Sequence, residues 1–226
     1  MHSIRASLLI SCSVMSGACV FDAVAGSGKI ITEPRTVSGF SAVSLSGSGT
    51  VIIEQTGTES LAVTTDDNLL PYIRTEVNGN TLELGFKDSM TYLRPTHDIV
   101  FRLTAKRLEG LDISGSGKAD AKGLDPDHLR IKISGSGEVS AQGTANDLEL
   151  RISGSGGYRG AAMGSKRATI DISGSGSAVI AASETLKADV SGSGSIEYVG
   201  DPQVTQHVSG SGSVHHADGA RSFGRN

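Results

Sequence analysis

The chain has 226 residues, of which 30 are Gly, 5 are Phe, 4 are Tyr and none is Trp. This length is enough for one medium domain or two small ones, and the scarcity of aromatic residues predicts a thin core of Ile, Val, Leu and Ala rather than a bulky helical one. The net charge is −4 and the Lys and Arg residues are scattered, which argues against nucleic acid as a partner.

The first 25 residues have the composition of a secretory signal peptide. Arg5 supplies a positive charge, residues 6–20 are mostly apolar or small, and residues 23–25 read Ala-Val-Ala, an A-x-A cleavage pattern. A buried amino-terminal helix is the alternative, but the segment has no amphipathic period. We therefore expect export, with cleavage before Gly26.

Both cysteines, Cys12 and Cys19, lie within this leader. Cleavage after Ala25 leaves no thiol, so a disulfide, a zinc cluster or a cysteine nucleophile is not expected in the mature chain. Leu9-Ile10-Ser11 before Cys12 match the lipobox of bacterial lipoproteins, although the apolar run before them is short. Before Cys19, Ser16 occupies the position three residues earlier, where a lipobox usually has an aliphatic residue. A lipid anchor at Cys12 or Cys19 stays open as an alternative.

No later apolar run approaches the roughly 20 residues that a membrane-spanning helix needs, so no transmembrane span is predicted. The expected location is the periplasm, the outer membrane surface or the outside of the cell.

Residues 26–110 are irregular and are predicted to cap the amino-terminal end of a repeat array. Their predicted elements are, in chain order, strands at 40–45 and 51–54 on either side of a Ser-Gly-Ser-Gly, a capped helical turn at 66–71, a hairpin around Asn78-Gly79-Asn80, and a strand at 99–103.

The tetrapeptide Ser-Gly-Ser-Gly recurs throughout the chain. Its seven copies begin at Ser46, Ser114, Ser134, Ser153, Ser173, Ser191 and Ser209. From Ser114 onward the copies follow one another at intervals of 18 to 20 residues, which is the length of one solenoid coil.

The residues around each tetrapeptide alternate between apolar and polar. Ile131-Lys132-Ile133 precedes one copy, and Val139 and Ala141 follow it. This period of two is typical of strands, and its phase does not shift across the tetrapeptide. We therefore expect the glycines to face inward and the serines to face outward.

Stacked coils of this kind predict an all-β fold, a parallel β-solenoid with coils of about 19 residues and corners at the Ser-Gly-Ser-Gly copies. A calcium-binding β-roll would need Asp at a position that Ser or another residue occupies here. The predicted domain covers residues 26–217, with regular coils at 111–217, and residues 218–226 read as a frayed tail.

These features resemble a bacterial family, the putative auto-transporter adhesins with a head GIN domain. The resemblance runs from about Gly26 to about Val214. It is carried by Val-Ser-Gly-Phe at 37–40, Asp-Asp-Asn-Leu-Leu-Pro at 66–71, the serial Ile-Ser-Gly-Ser-Gly coils and the closing pattern at 195–202. The resemblance implies an exported β-helical protein for which adhesion has been proposed, and it supplies no catalytic residues.

One outward position in each coil predicts a column of polar side chains on the solenoid surface. Its members are Asp112, Lys132, Arg151, Asp171, Asp189 and His207. Asp171 and Asp189 would lie about 5 Å apart, the separation of paired carboxylates in retaining glycoside hydrolases. The alternative is a solvated column in which Arg151 offsets the charge of Asp171.

The function favoured by the sequence is a non-enzymatic, adhesin-like or structural module of the cell envelope, whose flat faces contact a glycan or a protein surface. A polysaccharide-acting enzyme that uses Asp171 and Asp189 is the alternative. No cofactor or metal is predicted, because the adjacent His215 and His216 face opposite sides of a strand and form at best a weak site with His207. End-to-end pairing of two chains near Val208 and Val214 stays open.

Overall fold

In the computed structural model, residues 23–87 and 92–217 are described, and they form a β-solenoid of stacked coils. Each coil lies on the previous one, and equivalent strands are paired in parallel and in register around the Ser-Gly-Ser-Gly corners. The register shifts within the long strands, at residues 140–143 and 159–167 and their partners. The predicted parallel solenoid is therefore confirmed. Successive coils are about 4.8 Å apart, the ordinary spacing of hydrogen-bonded strands.

Within residues 23–87 and 92–217, strands make up nearly all of the regular structure, with one short 3₁₀ helix. The strands are β1 (Ala23–Ala25), β2 (Ile30–Arg35), β3 (Ala42–Gly47), β4 (Thr50–Gln55), β5 (Ser60–Asp66), β6 (Ile73–Asn78), β7 (Thr81–Phe86), β8 (Tyr92–Arg94), β9 (Val100–Ala105), β10 (Gly110–Gly115), β11 (Lys118–Leu124), β12 (His128–Gly135), β13 (Glu138–Gly154), β14 (Gly157–Gly174), β15 (Ser177–Gly192), β16 (Ser195–Val199), β17 (Gln203–Gly210) and β18 (Ser213–His216), and the 3₁₀ helix is Leu70–Tyr72.

Two ladders of strands run along the solenoid. One ladder follows the order β6, β7, β3, β10, β12, β13, β14, β15, β17, and the other follows β2, β5, β9, β4, β11, β13, β14, β15, β16, β18. Strands β13, β14 and β15 are long and contribute to both ladders because they bend around the coil. The pairing is parallel throughout the regular part, as expected when each coil repeats the path of the one before.

The core is a set of ladders of equivalent apolar side chains. Ile131, Leu150 and Ile170 stack in register and are fully buried, as are Ile133, Ile152 and Ile172. Aromatic side chains are few in this core. One of them, Tyr158, is buried beside Gly160, whose missing side chain leaves space for the ring. The thin aliphatic core predicted from composition is therefore present.

The two glycines of each tetrapeptide meet different constraints. Gly154 has φ +117°, and a Cβ atom there would lie 2.5 Å from the carbonyl oxygen of Gly135 in the preceding coil. Gly156 is buried, and its Cβ would lie 2.5 Å from Cγ2 of Ile133. The sequence predicted that both glycines face inward, and this holds for the second glycine of each tetrapeptide. The first position requires glycine for a different reason: its φ is positive, and a Cβ atom there would meet the backbone of the preceding coil.

The backbone hydrogen bonds continue through these corners. The amide of Ser155 donates to the carbonyl of Gly135 at 2.8 Å, and the amide of Gly157 donates to the carbonyl of Gly137 at 2.9 Å. The corner therefore adds to the stack of coils instead of interrupting it, and its backbone groups are paired.

The amino-terminal part contains the first coil and antiparallel strands beyond it. Strands β3 and β4 form the coil that lies under β10 and β11. The hairpin predicted around Asn78-Gly79-Asn80 is confirmed, because β6 and β7 pair antiparallel and Gly79 has φ +62°. Strands β2 and β5 are also antiparallel, as are β5 and β9. We call β1, β2, β5 to β9 and the 3₁₀ helix the amino-terminal cap.

The predicted capped helical turn differs in the structure. Asp66 is the last residue of β5, and the 3₁₀ helix that follows has Leu69 at its N-cap without a side-chain capping bond. The side chains of residues 66–68 bind other segments instead. Asp66 is fully buried, and its carboxylate accepts hydrogen bonds from the amide of Gly28 at 2.7 Å, the amide of Thr96 at 2.9 Å and the hydroxyl of Thr96 at 2.8 Å.

The next two residues hold the chain that enters the cap. Asn68 donates to the carbonyl of Ala25 at 2.8 Å and accepts from the amide of Ser27 at 2.9 Å. Asp67 accepts from the hydroxyl of Ser27 at 2.6 Å and pairs with Lys29 at 3.3 Å. We call residues 66–68 the Asp66–Asn68 clamp, because they fix residues 25–29 against the segment around Thr96.

Burial of the Asp66 carboxyl opposes its ionisation, but the hydrogen bonds from Thr96 and Gly28 outweigh this effect and hold its pKa below the ordinary value. The hydrogen bonds of the clamp therefore stabilise the ionised carboxylate of Asp66.

Several parts of the sequence-based prediction fall on residues that the structure does not describe. Cys12, Cys19 and most of the leader precede Ala23, and the predicted tail at 218–226 follows Ala217. Residues 23–25, where cleavage is predicted, form β1 and pair in parallel with β8. Across the described residues, no helix has the length and apolar character needed to cross a membrane.

The glycine constraint can be tested with two adjacent substitutions. Gly156→Val places a side chain against Ile133 and the backbone of Gly137, so we expect a loss of about 1–3 kcal/mol in the free energy of unfolding. The matched control is Ser155→Val, which points to solvent and should change stability by less than about 0.5 kcal/mol. Urea denaturation measures both, and equal effects of the two substitutions would contradict the assignment.

The clamp predicts a specific dependence of stability on pH. A carboxyl whose pKa is lower in the folded chain stabilises it at pH values above the unfolded pKa of about 4, and this contribution disappears as the pH falls through the folded value. Asp66→Asn should therefore lower the Tm at pH 7, and its deficit relative to the parent chain should shrink as the pH approaches 3. A deficit that is constant from pH 7 to pH 3 would show that the charge of Asp66 contributes nothing.

Candidate binding surfaces

The structure brings the predicted polar column together on one outer face. In register, Asp112 lies beside Lys132, and Arg151 lies beside Asp171. Asp171 is the direct neighbour of Asp189, which in turn is paired with His207. The two carboxylates named as a candidate catalytic pair are thus adjacent, as the repeat length requires.

The surroundings of these two carboxylates are those of solvated surface charges. Arg151 Nε lies 3.7 Å from Asp171, and Lys187 Nζ lies 3.3 Å from Asp189. Their side chains are 41% and 34% exposed, and the cleft beside them has a volume of only about 270 Å³. A carboxyl that acts as the acid in glycoside hydrolysis must retain its proton near neutral pH, which proteins achieve by burial. Neither residue is buried, so the geometry favours a charge column over a catalytic pair.

A second charged cluster lies on the same face, four residues before the first column along each strand. Asp147 is bound by Arg167 through two hydrogen bonds, of which the one between Arg167 Nη2 and Asp147 Oδ2 is 2.9 Å long. His128 Nδ1 lies 3.0 Å from the same carboxylate. The bonds from Arg167 hold the pKa of the Asp147 carboxyl below its usual range, although partial burial opposes this effect.

These residues belong to a cleft of about 850 Å³ whose lining includes Arg107, Glu109, Asp127, His128, Arg130, Asp147, Glu149 and Arg167. Its cations and anions are largely paired with one another: Arg130 binds Glu149 at 3.0 Å, and Arg107 binds Glu109 at the same distance. The cleft is therefore polar but does not present one sign of charge.

The sequence analysis did not identify this cluster, although the repeat contains the signal. His128, Asp147 and Arg167 occupy equivalent positions in successive coils. Each lies four residues before the member of the first column on its own strand, which is Lys132, Arg151 or Asp171. Extending the alignment of the coils toward the start of each strand would have placed them in one column. The side-chain contacts within this column, however, depend on rotamers that the sequence does not specify.

A third surface is a groove that runs along the solenoid axis and crosses successive coils. It has a volume of about 700 Å³ and is lined by Asp125, Pro126, Asp127, Thr144, Ala145, Asn146, Ala161, Gly164, Ser165, Lys166, Ala181, Ala182, Ser183, Val199 and Gly200. We call it the axial groove. Its lining combines small apolar residues with hydroxyl, amide, carboxylate and ammonium groups, and it contains no aromatic ring.

The shape of the axial groove follows from the repeat. Its residues come from five successive levels of the stack, so the groove is about 19 Å long at a spacing of about 4.8 Å per level. Internal hydrogen bonds fix some of its polar groups: Ser165 donates to the carbonyl of Ala181 at 2.7 Å, and Thr144 donates to Asp125 at 2.9 Å. A ligand that fills it would be elongated and parallel to the axis.

The serines of the tetrapeptides form a further polar surface. Ser114, Ser134 and Ser153 are directly paired, and the column continues through every copy from Ser46 to Ser209. The serines face outward, as predicted, and they give the corner of the solenoid a row of uncharged hydroxyl groups.

The histidines near the carboxy-terminal end have different neighbours, and His215 is paired with Glu197 of the preceding coil. His207 lies in the column beside Asp189, whereas His216 Nε2 is 2.9 Å from the carbonyl oxygen of Gly200 and its ring packs edge-on against Tyr198 at 5.2 Å. Within residues 23–87 and 92–217, no three His, Cys, Asp or Glu side chains are placed to hold a metal ion.

Comparison with known proteins places the fold and the repeat in one family. The family model for the putative auto-transporter adhesin, head GIN domain, matches residues 39–202. Among curated proteins, none matches the chain. Several solved bacterial structures share the fold along nearly their whole length.

A putative adhesin from Bacteroides fragilis is 24% identical, with a TM-score of 0.70, over 86% of this chain and 100% of its own. A putative lipid binding protein from Parabacteroides distasonis is 26% identical, with a TM-score of 0.59, over 87% of this chain and 100% of its own. A putative adhesin from Parabacteroides merdae is 24% identical, with a TM-score of 0.55, over the same shares of the two chains. The family match spans most of the chain, and the stacked Ser-Gly-Ser-Gly coils account for it: this chain belongs to the putative auto-transporter adhesin, head GIN domain family.

Proposed function

We propose that the protein is an exported, non-enzymatic binding module of the cell envelope, and that it holds an envelope glycan in the axial groove. The observation that carries this proposal is the groove itself, which is long, open to solvent and lined by polar groups with small residues between them. An extended polymer fits such a site, because each successive level of the stack adds further contacts along the same direction.

The chemistry of the lining suits hydroxyl-rich ligands. Asp127, Asn146, Lys166 and Ser183 place polar groups along the groove, with small residues such as Ala181 and Gly164 between them. Asn146 donates to Asp127 at 2.9 Å and Ser183 donates to the carbonyl of Ser165, so a ligand uses the remaining donors and acceptors of these groups. Since the groove has no aromatic ring, the contacts are hydrogen bonds rather than stacking. Each sugar unit is then held weakly, and affinity depends on the number of levels that the polymer crosses.

The relatives support binding rather than catalysis. Solved structures that share the fold carry the description of putative adhesin. The description of one as a putative lipid binding protein makes a glycolipid a ligand to include in the test. The open, ion-paired surroundings of Asp171 and Asp189 give the enzyme hypothesis no support.

Export predicts a processed amino terminus on the protein isolated from its native host. Intact mass should show a chain that begins at Gly26, or one that begins at Cys12 or Cys19 and carries a diacylglyceryl group. Removal of residues 1–25 would also remove β1, whereas lipidation at either cysteine would keep it. A chain of full mass in the cytoplasmic fraction would contradict export.

Glycan binding can be tested by co-sedimentation with peptidoglycan, insoluble capsular polysaccharide and glycolipid vesicles. Ala161 and Ala162 are both exposed and adjacent, but only Ala161 lines the axial groove. Ala161→Arg should weaken binding at least about tenfold, equivalent to about 1.4 kcal/mol, because the new side chain fills the groove. Ala162→Arg should leave binding within about twofold of the parent chain.

The same experiment separates binding from catalysis. Asp171→Asn and Asp189→Asn should leave the bound fraction unchanged, and no new reducing ends should appear in the polysaccharide. Binding that is equally sensitive to Ala161→Arg and Ala162→Arg would contradict the groove as the site. Absence of binding to every envelope fraction would overturn the binding function in favour of a structural role, and end-to-end pairing of chains at β17 and β18 would then be tested by sedimentation.

A further inference from the structure

The exposed large apolar side chains are concentrated at one end of the molecule. In the described residues they are Ile30, Tyr72, Tyr92 and Val208, with exposed fractions of 37%, 37%, 62% and 37%. The first three belong to the amino-terminal cap, and only Val208 lies on the last coil. The cap also contains the most exposed of them, Tyr92, on the short strand β8.

The three cap residues are linked through the Asp66–Asn68 clamp. Ile30 is paired with Asp66, and Tyr72 ends the 3₁₀ helix that begins four residues after Asp66. The strand of Tyr92 leads directly to Thr96, which donates two hydrogen bonds to Asp66. The three apolar side chains therefore lie at the same end of the solenoid, beyond the first coil.

The apolar leader joins the fold at this end. Residues 6–20 are mostly apolar or small, and the described chain starts at Ala23, which pairs with Tyr92 in the β1–β8 sheet. Asn68 holds the carbonyl of Ala25, and the amide of Gly26 donates to the carbonyl of Arg94 at 2.9 Å. The chain therefore enters the cap at a fixed point, directly beside the most exposed tyrosine.

The side chains at this point suit the interface between water and lipid. Tyrosine has an apolar ring and a polar hydroxyl, a combination that favours the headgroup region of a bilayer. The guanidinium of Arg94 lies 5.7 Å from the centre of the Tyr92 ring, so a cation that can pair with lipid phosphate accompanies the aromatic group. The polar axial groove, by contrast, is built from the regular coils.

We infer that the amino-terminal cap is the membrane-facing end of the protein, with Tyr92, Tyr72 and Ile30 in contact with the lipid interface of a bilayer. The solenoid axis then points away from the membrane, and the last coil is the end farthest from it. This inference rests on the proposed export for its cellular setting, but the contact with lipid is a property of the isolated chain.

The absence of Trp from the chain permits single-tryptophan reporters. Tyr92→Trp reports on the cap, and Val208→Trp is the matched control at the opposite end. Each variant is purified after export, with the amino terminus that intact mass identifies, and is mixed with vesicles of phosphatidylethanolamine and phosphatidylglycerol that carry brominated acyl chains. Tyr72→Trp is a second cap reporter that keeps the test valid if Tyr92→Trp fails to fold.

We expect the emission of the cap reporters to shift to shorter wavelength and to be quenched by the brominated lipid at least about threefold more than that of Val208→Trp. Equal quenching at both ends, or quenching at residue 208 alone, would overturn the inference. In the parent background, Tyr72→Ser combined with Tyr92→Ser should reduce vesicle binding, whereas Val208→Ser should not. Failure of export is recognised separately, from the intact mass and cell fractionation.

Discussion

The structure depends on the close stacking of coils at the Ser-Gly-Ser-Gly corners. Each coil must lie within strand-pairing distance of the next, and at the corner the backbone of one coil meets the backbone of its neighbour. Gly154 and Gly156 show the two requirements: the first lies against the carbonyl oxygen of Gly135, and the second lies against the side chain of Ile133. A side chain at either position would separate the coils. The in-register ladders on both sides of the corner, and hence the surfaces they present, follow from this contact.

The same repetition sets the chemistry of the surface. Because equivalent residues stack in columns, a single change in one coil places a new group between two fixed neighbours. Several charges pair with an opposite charge in the neighbouring coil, as Asp147 does with Arg167. What remains available to a ligand is extended and shallow: the serine corner, the charged cleft and the axial groove. Surfaces of this kind suit many weak contacts with a long ligand better than catalysis, which needs a buried and water-excluded group.

The two ends of the solenoid are closed differently. At the amino-terminal end, antiparallel strands and the Asp66–Asn68 clamp cover the first coil, and a fully buried carboxylate fastens two segments far apart in sequence. At the carboxy-terminal end, the last coil has Gln206 at a position that Ala188 occupies in the coil before it, so a polar side chain replaces an apolar one where the stack of described coils ends. The molecule is therefore polar along its length and distinct at its ends, which gives it a direction as well as a binding face.

The sequence by itself determined the solenoid, its register around the Ser-Gly-Ser-Gly corners and the adjacency of Asp171 and Asp189, because these follow from the length and period of the repeat. It also determined the hairpin at Asn78-Gly79-Asn80, which depends on local turn chemistry. Only the tertiary structure showed that residues 66–68 bind residues 25–29 and Thr96, since those contacts join segments outside the repeat. The tertiary structure also showed that the two glycines of each Ser-Gly-Ser-Gly corner have different roles. The physical reason is the same in both cases: periodic residues repeat one local environment, whereas the clamp and the close backbone contacts depend on how separate segments pack.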